Sequence, residues 1–281
     1  MNRRVVVCVL TLLAAIASQP VFATDKISNW AGFYIGGNAG YAWGTENNTL
    51  NIDDGSTALS CHFCAAVVGG NDAGLAQAAG SSHFDPHGFV GGAQLGYNWQ
   101  KENWVYGLEA DFESFNQQQT NAGSVQLPAN SGFGNCGAAP CVGSFSSSVR
   151  SDWLLTVRPR IGYVWNSTLI YGTAGLALSQ LSFRQTYNDN VFLPFGAGGT
   201  ATSSSSVTRA GWTVGGGIEQ ALGKNWSAKI EYLYVRFGGL NATGILHDDF
   251  PTDTANFYNS IDHLASNIVR VGFNYKFGPN Y

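Results

Sequence analysis

The chain has 281 residues, a formal net charge of −4 and only 11% charged side chains, beside 8 Trp, 12 Tyr and 17 Phe. A mildly acidic balance without a basic stripe argues against nucleic acid as a partner, and so many aromatics with so few charges would make a poor soluble surface. Beyond the N-terminal stretch no segment has 18 consecutive apolar residues, which excludes a helical membrane protein and leaves the closed β-barrel as the structure able to satisfy its backbone in lipid.

The N-terminus reads as an export signal. Asn2, Arg3 and Arg4 precede an apolar run from Val5 to Ala17, and Val21-Phe22-Ala23 closes it with a processing pattern. Cleavage after Ala23 makes residues 1–23 a signal peptide and 24–281 one barrel domain. It also removes Arg3, Arg4 and Cys8, so the net charge moves from −4 to −6.

Period-2 alternation then gives eight strands, each long enough to cross a bilayer when tilted. The first, about 30–44, sends Phe33, Ile35, Ala39, Tyr41 and Trp43 outward. The second, 88–100, does so with Phe89, Ala93, Leu95, Tyr97 and Trp99, and the third, 104–115, with Trp104, Tyr106, Leu108, Ala110 and Phe112. The fourth, 152–165, faces Trp153, Leu155, Val157, Ile161, Tyr163 and Trp165 outward. The fifth, 169–181, alternates least and offers Ile170, Ala174, Leu176 and Leu178. The sixth, 210–222, shows Trp212, Val214 and Ile218, the seventh, 226–237, Ala228, Ile230, Tyr232 and Tyr234, and the last, 267–277, Val269, Val271, Phe273, Tyr275 and Phe277.

Three connections are short, at 100–103, 166–168 and 223–225. Four are long, at about 45–87, 116–150, 182–209 and 238–266, and rich in Gly, Ser, Asn, Asp and Ala. Strict alternation of short and long connections is what periplasmic turns and outer loops require. The eight tryptophans lie near predicted strand ends: Trp30, Trp99, Trp104, Trp165 and Trp226 at the periplasmic end, Trp43, Trp153 and Trp212 at the outer end. Indoles settle at the headgroup level, so these predict two aromatic girdles. The expected fold is therefore an all-β, eight-stranded antiparallel transmembrane barrel in the bacterial outer membrane.

Several stretches resemble a known family. Trp30-Ala-Gly-Phe-Tyr-Ile-Gly-Gly-Asn-Ala-Gly-Tyr41, Gly92-Ala-Gln-Leu-Gly-Tyr-Asn98, Arg160-Ile-Gly-Tyr163, Gly211-Trp-Thr-Val-Gly-Gly-Gly-Ile-Glu219, Glu231-Tyr-Leu-Tyr234 and Val269-Arg-Val-Gly-Phe-Asn-Tyr-Lys-Phe277 look like the strands of the alphaproteobacterial outer-membrane immunogenic proteins, a small porin-like barrel family. The resemblance covers all the strands and implies fold and location. Members are described as structural surface proteins, porins, antigens and in some cases haemin binders. The closing aromatics resemble the signature read by the barrel-assembly machinery, although Gly278-Pro279-Asn280-Tyr281 extends past the usual Phe stop.

The inward positions carry the informative polar residues. Glu109, Asp111 and Glu113 on the third strand neighbour Arg158 and Arg160 on the fourth, Glu219 neighbours Lys229 and Glu231, and Arg270 and Lys276 enter from the last strand. Inside eight strands there is room only for side chains, so balanced charges there should pair across strands and close the interior. The alternative is an ion path lined by the same charges. A soluble carrier barrel would place charges outside and apolar residues inside, the opposite arrangement.

Cys61, Cys64, Cys136 and Cys141 fall in the first two outer loops of an exported chain and read as two disulfides, with local and cross-loop pairing both open. The compartment argues against a zinc site. His62, His83, His87, His247 and His263 lie in or beside outer loops. A surface haemin site would draw on them with Phe63 or Phe250 beside the ring, and solvated loop histidines are the plainer reading. For an enzyme, Asp85 and His87 with His247, Asp248 and Asp249 are the available set, and no recognisable frame unites them.

These readings predict a non-enzymatic barrel without cofactor or metal. Its role is structural or at the surface: envelope integrity, antigen or adhesion. A narrow diffusion channel is the first alternative and haemin binding the second. Its partners are outer-membrane lipid, lipopolysaccharide, the assembly machinery, and a host surface or haemin.

Overall fold

The computed structural model describes residues 28–53, 63, 72–127, 140–190, 198–223, 225–247 and 255–278. The proposed signal peptide, Cys61, His62, Cys64, Cys136, Asp248, Asp249, Phe250 and Tyr281 lie outside these residues. In chain order the elements are β1 (Gly32–Asp53), helix α1 (Asp72–Gly80), β2 (Ser82–Phe84), β3 (His87–Lys101), β4 (Trp104–Leu127), β5 (Cys141–Trp165), β6 (Thr168–Asp189), β7 (Thr200–Gly223), β8 (Trp226–His247) and β9 (Asn256–Lys276).

Strands β1 and β3 to β9 form an eight-membered antiparallel ring, closed where β1 pairs with β9. Closure removes the exposed sheet edges of the membrane-crossing half, while the β7–β8 ladder is interrupted between Ala201 and Gly211. The short β2 is a ninth strand, hung on β1 through Glu46↔Phe84, Asn47↔His83 and Asn48↔Ser82. Strands β3–β4, β5–β6 and β7–β8 are joined by the predicted short turns. Glu102 and Asn166 take positive φ there (55° and 56°) and Gly223 reaches 97°, as tight hairpin turns require.

All eight predicted strands exist with the predicted parity. No member of the outward sets is buried, and Phe89, Leu176 and Phe273 are among the most exposed, because the surrounding solvent is hydrocarbon. Seven of the tryptophans stand on this outer surface. Trp30 does not: it is 1% exposed and packs inside the periplasmic mouth with Val105, Val164, Leu169 and Tyr171. Its even number places it in the inward series of Tyr34 and Asn38, so the girdle assignment is corrected for this residue.

The strands are also longer than predicted. Apart from β3, with 15 residues, they run 21 to 25, about twice what a bilayer requires. Trp43, Trp153 and Trp212 consequently sit near mid-strand, and the ladder continues through much of what read as outer loops. The physical reason is an inversion of polarity. Above these tryptophans the outside meets water, so Ser144, Ser146, Ser148, Ser204 and Ser206 face out while Phe145, Val149, Phe183, Leu240 and Phe257 turn in. Apolar-outward alternation ends at the girdle, and the strand does not.

The upper half is thus packed like a water-soluble sandwich. One apolar layer holds Phe84, Phe115, Leu154, Leu181, Phe183, Leu233, Phe237 and Ile268; a second, outermost layer holds Leu50, Phe63, Ala76, Leu127, Phe145, Tyr187, Leu246 and Phe257. Helix α1, unanticipated from sequence, plugs this outer layer. Its Ala-rich sequence favours helix, and its last carbonyl, on Gly80, accepts bonds from Asn48 Nδ2 (3.3 Å, β1) and Gln185 Nε2 (2.7 Å, β6). A Cβ on Gly80 would collide with Leu50 and Phe145, so only glycine lets the helix end fit between opposing walls. Because β3 starts as late as His87, the wall above it is completed by β2. Side-chain amides of β4 replace a ladder there: Gln119 Oε1 accepts the Asp85 amide (2.5 Å) and Asn121 Nδ2 donates to the His83 carbonyl (2.6 Å).

The inversion has a measurable consequence. Val157→Arg places a cation on the lipid face near the bilayer middle and should cost about 2–4 kcal/mol. Ser146→Arg, on the outward face of the upper half, should change stability by under about 0.5 kcal/mol. Denaturant unfolding of both variants in lipid vesicles checks the contrast; equal effects would place the membrane boundary elsewhere.

Candidate functional site

Below the apolar layers the lumen is filled by an ion network. Glu109, Asp111 and Glu113 of β4, Arg158 and Arg160 of β5, Glu219 of β7, Lys229 and Glu231 of β8 and Arg270 of β9 all point inward, and none is more than 4% exposed. The register places the pairs: Glu109 lies opposite Arg158, Glu219 opposite Lys229 and Glu231 opposite Arg270.

Three cations tie the network together. Arg158 reaches Glu109 and Asp111, each at 2.7 Å, and Glu231 at 3.3 Å. Arg270 reaches Asp111 at 2.8 Å, Glu231 at 2.5 Å, and Glu113. Arg160 pairs with Glu219 at 3.1 Å, and its guanidinium lies over the rings of Tyr34 (4.7 Å) and Tyr171 (5.2 Å), a cation–π arrangement suited to a dry site. Lys229 adds a bond to Glu109 at 2.9 Å.

Neutral groups complete the shell, and parity alone could have found them. The Tyr34 hydroxyl donates to Glu109 (2.8 Å), Tyr171 to Glu231 (2.9 Å), Thr156 to Asp111 (2.6 Å) and Ser227 to Glu219 (2.6 Å). The Asn274 amide also donates to Glu219 (2.7 Å) and accepts from Gln94 at 2.5 Å. All eight ring strands therefore contribute. Buried charges persist only when paired and hydrogen-bonded, and these are. One predicted member departs: the Lys276 ammonium bonds the Asn29 carbonyl at the periplasmic mouth, because it lies six residues beyond Arg270 on β9.

The other candidates do not converge. His83 bonds Asn47 (2.7 Å) and Asp85 (3.2 Å), and His87 bonds the Asp85 carbonyl (3.0 Å), at the outer end of β3. His247 sits opposite Thr200 at the far tip of β8, so the Asp85–His87 and His247 groups form no common site. Phe63, a proposed flank for haemin, is 3% exposed and packs against Tyr187 and Phe257, which withdraws it from the surface. Cys141 is disulfide-bonded; every other cysteine of the chain lies outside the described residues.

A model of the outer membrane protein β-barrel domain matches residues 9–277. The chain belongs to this family. The 31 kDa outer-membrane immunogenic protein of Brucella melitensis is 34% identical over 262 residues, spanning 92% of this chain and 89% of that protein. The 22 kDa outer membrane protein of Rhizobium leguminosarum bv. viciae is 28% identical over 68% of this chain and 67% of its own length. Among solved structures, the outer membrane protease OmpT of Escherichia coli aligns over 91% of this chain and 100% of its own, with a TM-score of 0.39 and 11% identity. This outer-membrane barrel thus joins the family the strand motifs resembled, and it resides in the outer membrane.

Proposed function

We propose that this outer-membrane protein acts as a closed structural and surface barrel, anchoring a tall extracellular column rather than conducting solutes. The observation carrying this reading is the filled lumen. From the periplasmic mouth outward it holds the Trp30 cluster, the ion network, two apolar layers and the α1 plug. Wide aqueous channels belong to barrels of about sixteen strands, and here side chains of every lumen layer are buried. The hydroxyl-covered upper wall suits a setting among lipopolysaccharide sugars, and the tips are the parts a host surface or antibody would meet. The separation of Asp85–His87 from His247 weighs against catalysis.

The experiment is the conductance of the refolded protein in a planar bilayer, with folding verified by heat-modifiable gel migration. The expected result is silence. Steady, reproducible steps would overturn the closed barrel and make the narrow diffusion channel the function. Haemin binding is tested in the same preparation: a Soret shift on titration, lost in His247→Ala, would favour that alternative.

A further inference from the structure

We infer that the outermost ends of β7, β8 and β9 form a binding groove for neutral saccharide. The site deepens the surface reading above, on which it rests: the upper half must stand outside the membrane. An open groove of about 680 Å³ lies here, comparable in volume with the roughly 300–1,000 Å³ of small-ligand sites. Its outward-pointing lining comprises Thr200 and Thr202 of β7, Thr243, Ile245 and His247 of β8, and Tyr258 of β9. The ladder sets them side by side, with Thr200 opposite His247 and Thr243 opposite Tyr258.

Two features of this wall are unlike its surroundings. Ile245 and Tyr258 are 49% and 44% exposed, on an outer wall surfaced mainly by polar side chains, where Val142 of β5 is the other large apolar side chain exposed among the described residues. A phenol ring beside an aliphatic side chain offers an apolar platform. Around it stand three threonine hydroxyls, an imidazole and the amide of Asn256.

The chemistry selects the ligand class. The described lining is neutral polar and apolar, with three threonine hydroxyls, Asn256 and His247 around Ile245 and Tyr258. A main-chain partner would need an open strand edge; β8 pairs with β9 through Thr243, Gly244 and Ile245, and although the β7–β8 ladder is interrupted between Ala201 and Gly211, the Thr202 carbonyl lies against Gly244, too close for a strand to enter. A purely apolar ligand would leave the hydroxyls and the imidazole unmatched. A pyranose presents a C–H face for Tyr258 and a rim of hydroxyls for the threonines, Asn256 and His247, and it fits both halves of the lining. The sugar comes either from the cell's own polysaccharide or from a host glycan.

The test uses the full chain refolded in detergent micelles, with folding checked by heat-modifiable migration. Three probes are titrated by saturation-transfer NMR: maltoheptaose, the cell's polysaccharide freed of lipid A, and a neutral mammalian biantennary N-glycan. Saturable binding of any one supports the groove, and the arm that binds identifies the source. Tyr258→Ala should weaken that binding about tenfold, Tyr258→Phe should retain most of it, and Thr202→Val with Thr243→Val should weaken it further. Absence of binding in all three arms by folded protein overturns the inference, as does binding indifferent to Tyr258→Ala. Labelling of Thr243→Cys on intact cells by an impermeant maleimide separates the two levels. Labelled protein that binds no sugar fails the groove alone, and unlabelled protein fails the surface reading with it.

Discussion

Arg270→Ala is expected to lower the unfolding free energy by roughly 3–5 kcal/mol, the cost of leaving buried charge uncompensated. Arg270 is 1% exposed and holds Asp111, Glu113 and Glu231 at once. Its removal leaves five carboxylates, none more than 2% exposed, around Arg158, Arg160 and Lys229. Arg270→Lys keeps the charge but cannot span three acceptors with a planar fork, so an intermediate loss is expected. Arg270→Ala combined with Glu231→Gln should recover part of the deficit, since it removes one stranded charge. Guanidinium unfolding followed by tryptophan fluorescence measures all three variants. A loss below about 1 kcal/mol for Arg270→Ala would show that the lumen admits enough water to solvate these groups, and the closed barrel would fall with it.

The second large effect lies above the membrane. Glu46 of β1 points inward, is 3% exposed, and its Oε2 has no hydrogen-bond partner among the described residues. Burial pushes its carboxyl from an ordinary 4.5 up to about 8. The folded state therefore keeps a proton that the unfolded chain releases from about pH 4.5 upward. The stability linked to this proton is fully present below that pH and is lost as pH rises through about 8. The loss reaches on the order of 4–5 kcal/mol by then. Glu46→Gln mimics the neutral acid, so its stability should stay level across the window in which the parent declines. Unfolding midpoints measured from pH 5 to 9 decide it. Parallel curves would mean that Glu46 ionises freely, next to solvent.

The eight membrane crossings were legible because lipid imposes one-sided contrast: Phe33, Ile35, Ala39 and Tyr41 alternate with small or polar residues that face the lumen. Parity then carried over to the network, down to the opposition of Glu109 and Arg158. The upper half was illegible by the same rule, for a strand such as Ser144-Phe145-Ser146-Ser147-Ser148-Val149 reverses the face that carries the apolar residues, and its serine content reads as loop. Trp30 shows the converse error. Residue type suggested the girdle, while parity with Tyr34 already placed it inside. Helix α1 offered few signals beyond its alanines: its buried face is Asp72, Ala76 and Gly80, while its one large apolar residue, Leu75, is 41% exposed, so no apolar stripe marks the inner side. The groove at Tyr258 joins residues from three strands by register alone, which no local pattern reveals.

The doubling of strand length beyond the tryptophans fixes an altitude. Some ten further residues per strand, tilted by about 40°, raise the tips by roughly 25 Å over the outer leaflet. The rigid wall, not the loops, bears that distance, so the tips keep their elevation whatever sequence they carry. Substitution or insertion there, away from Phe63 and helix α1 that belong to the outer layer, leaves the two apolar layers beneath in place. The molecule is in effect a mast: its lower part is tuned to lipid, its shaft is dressed for a sugar layer, and its summit is free to vary.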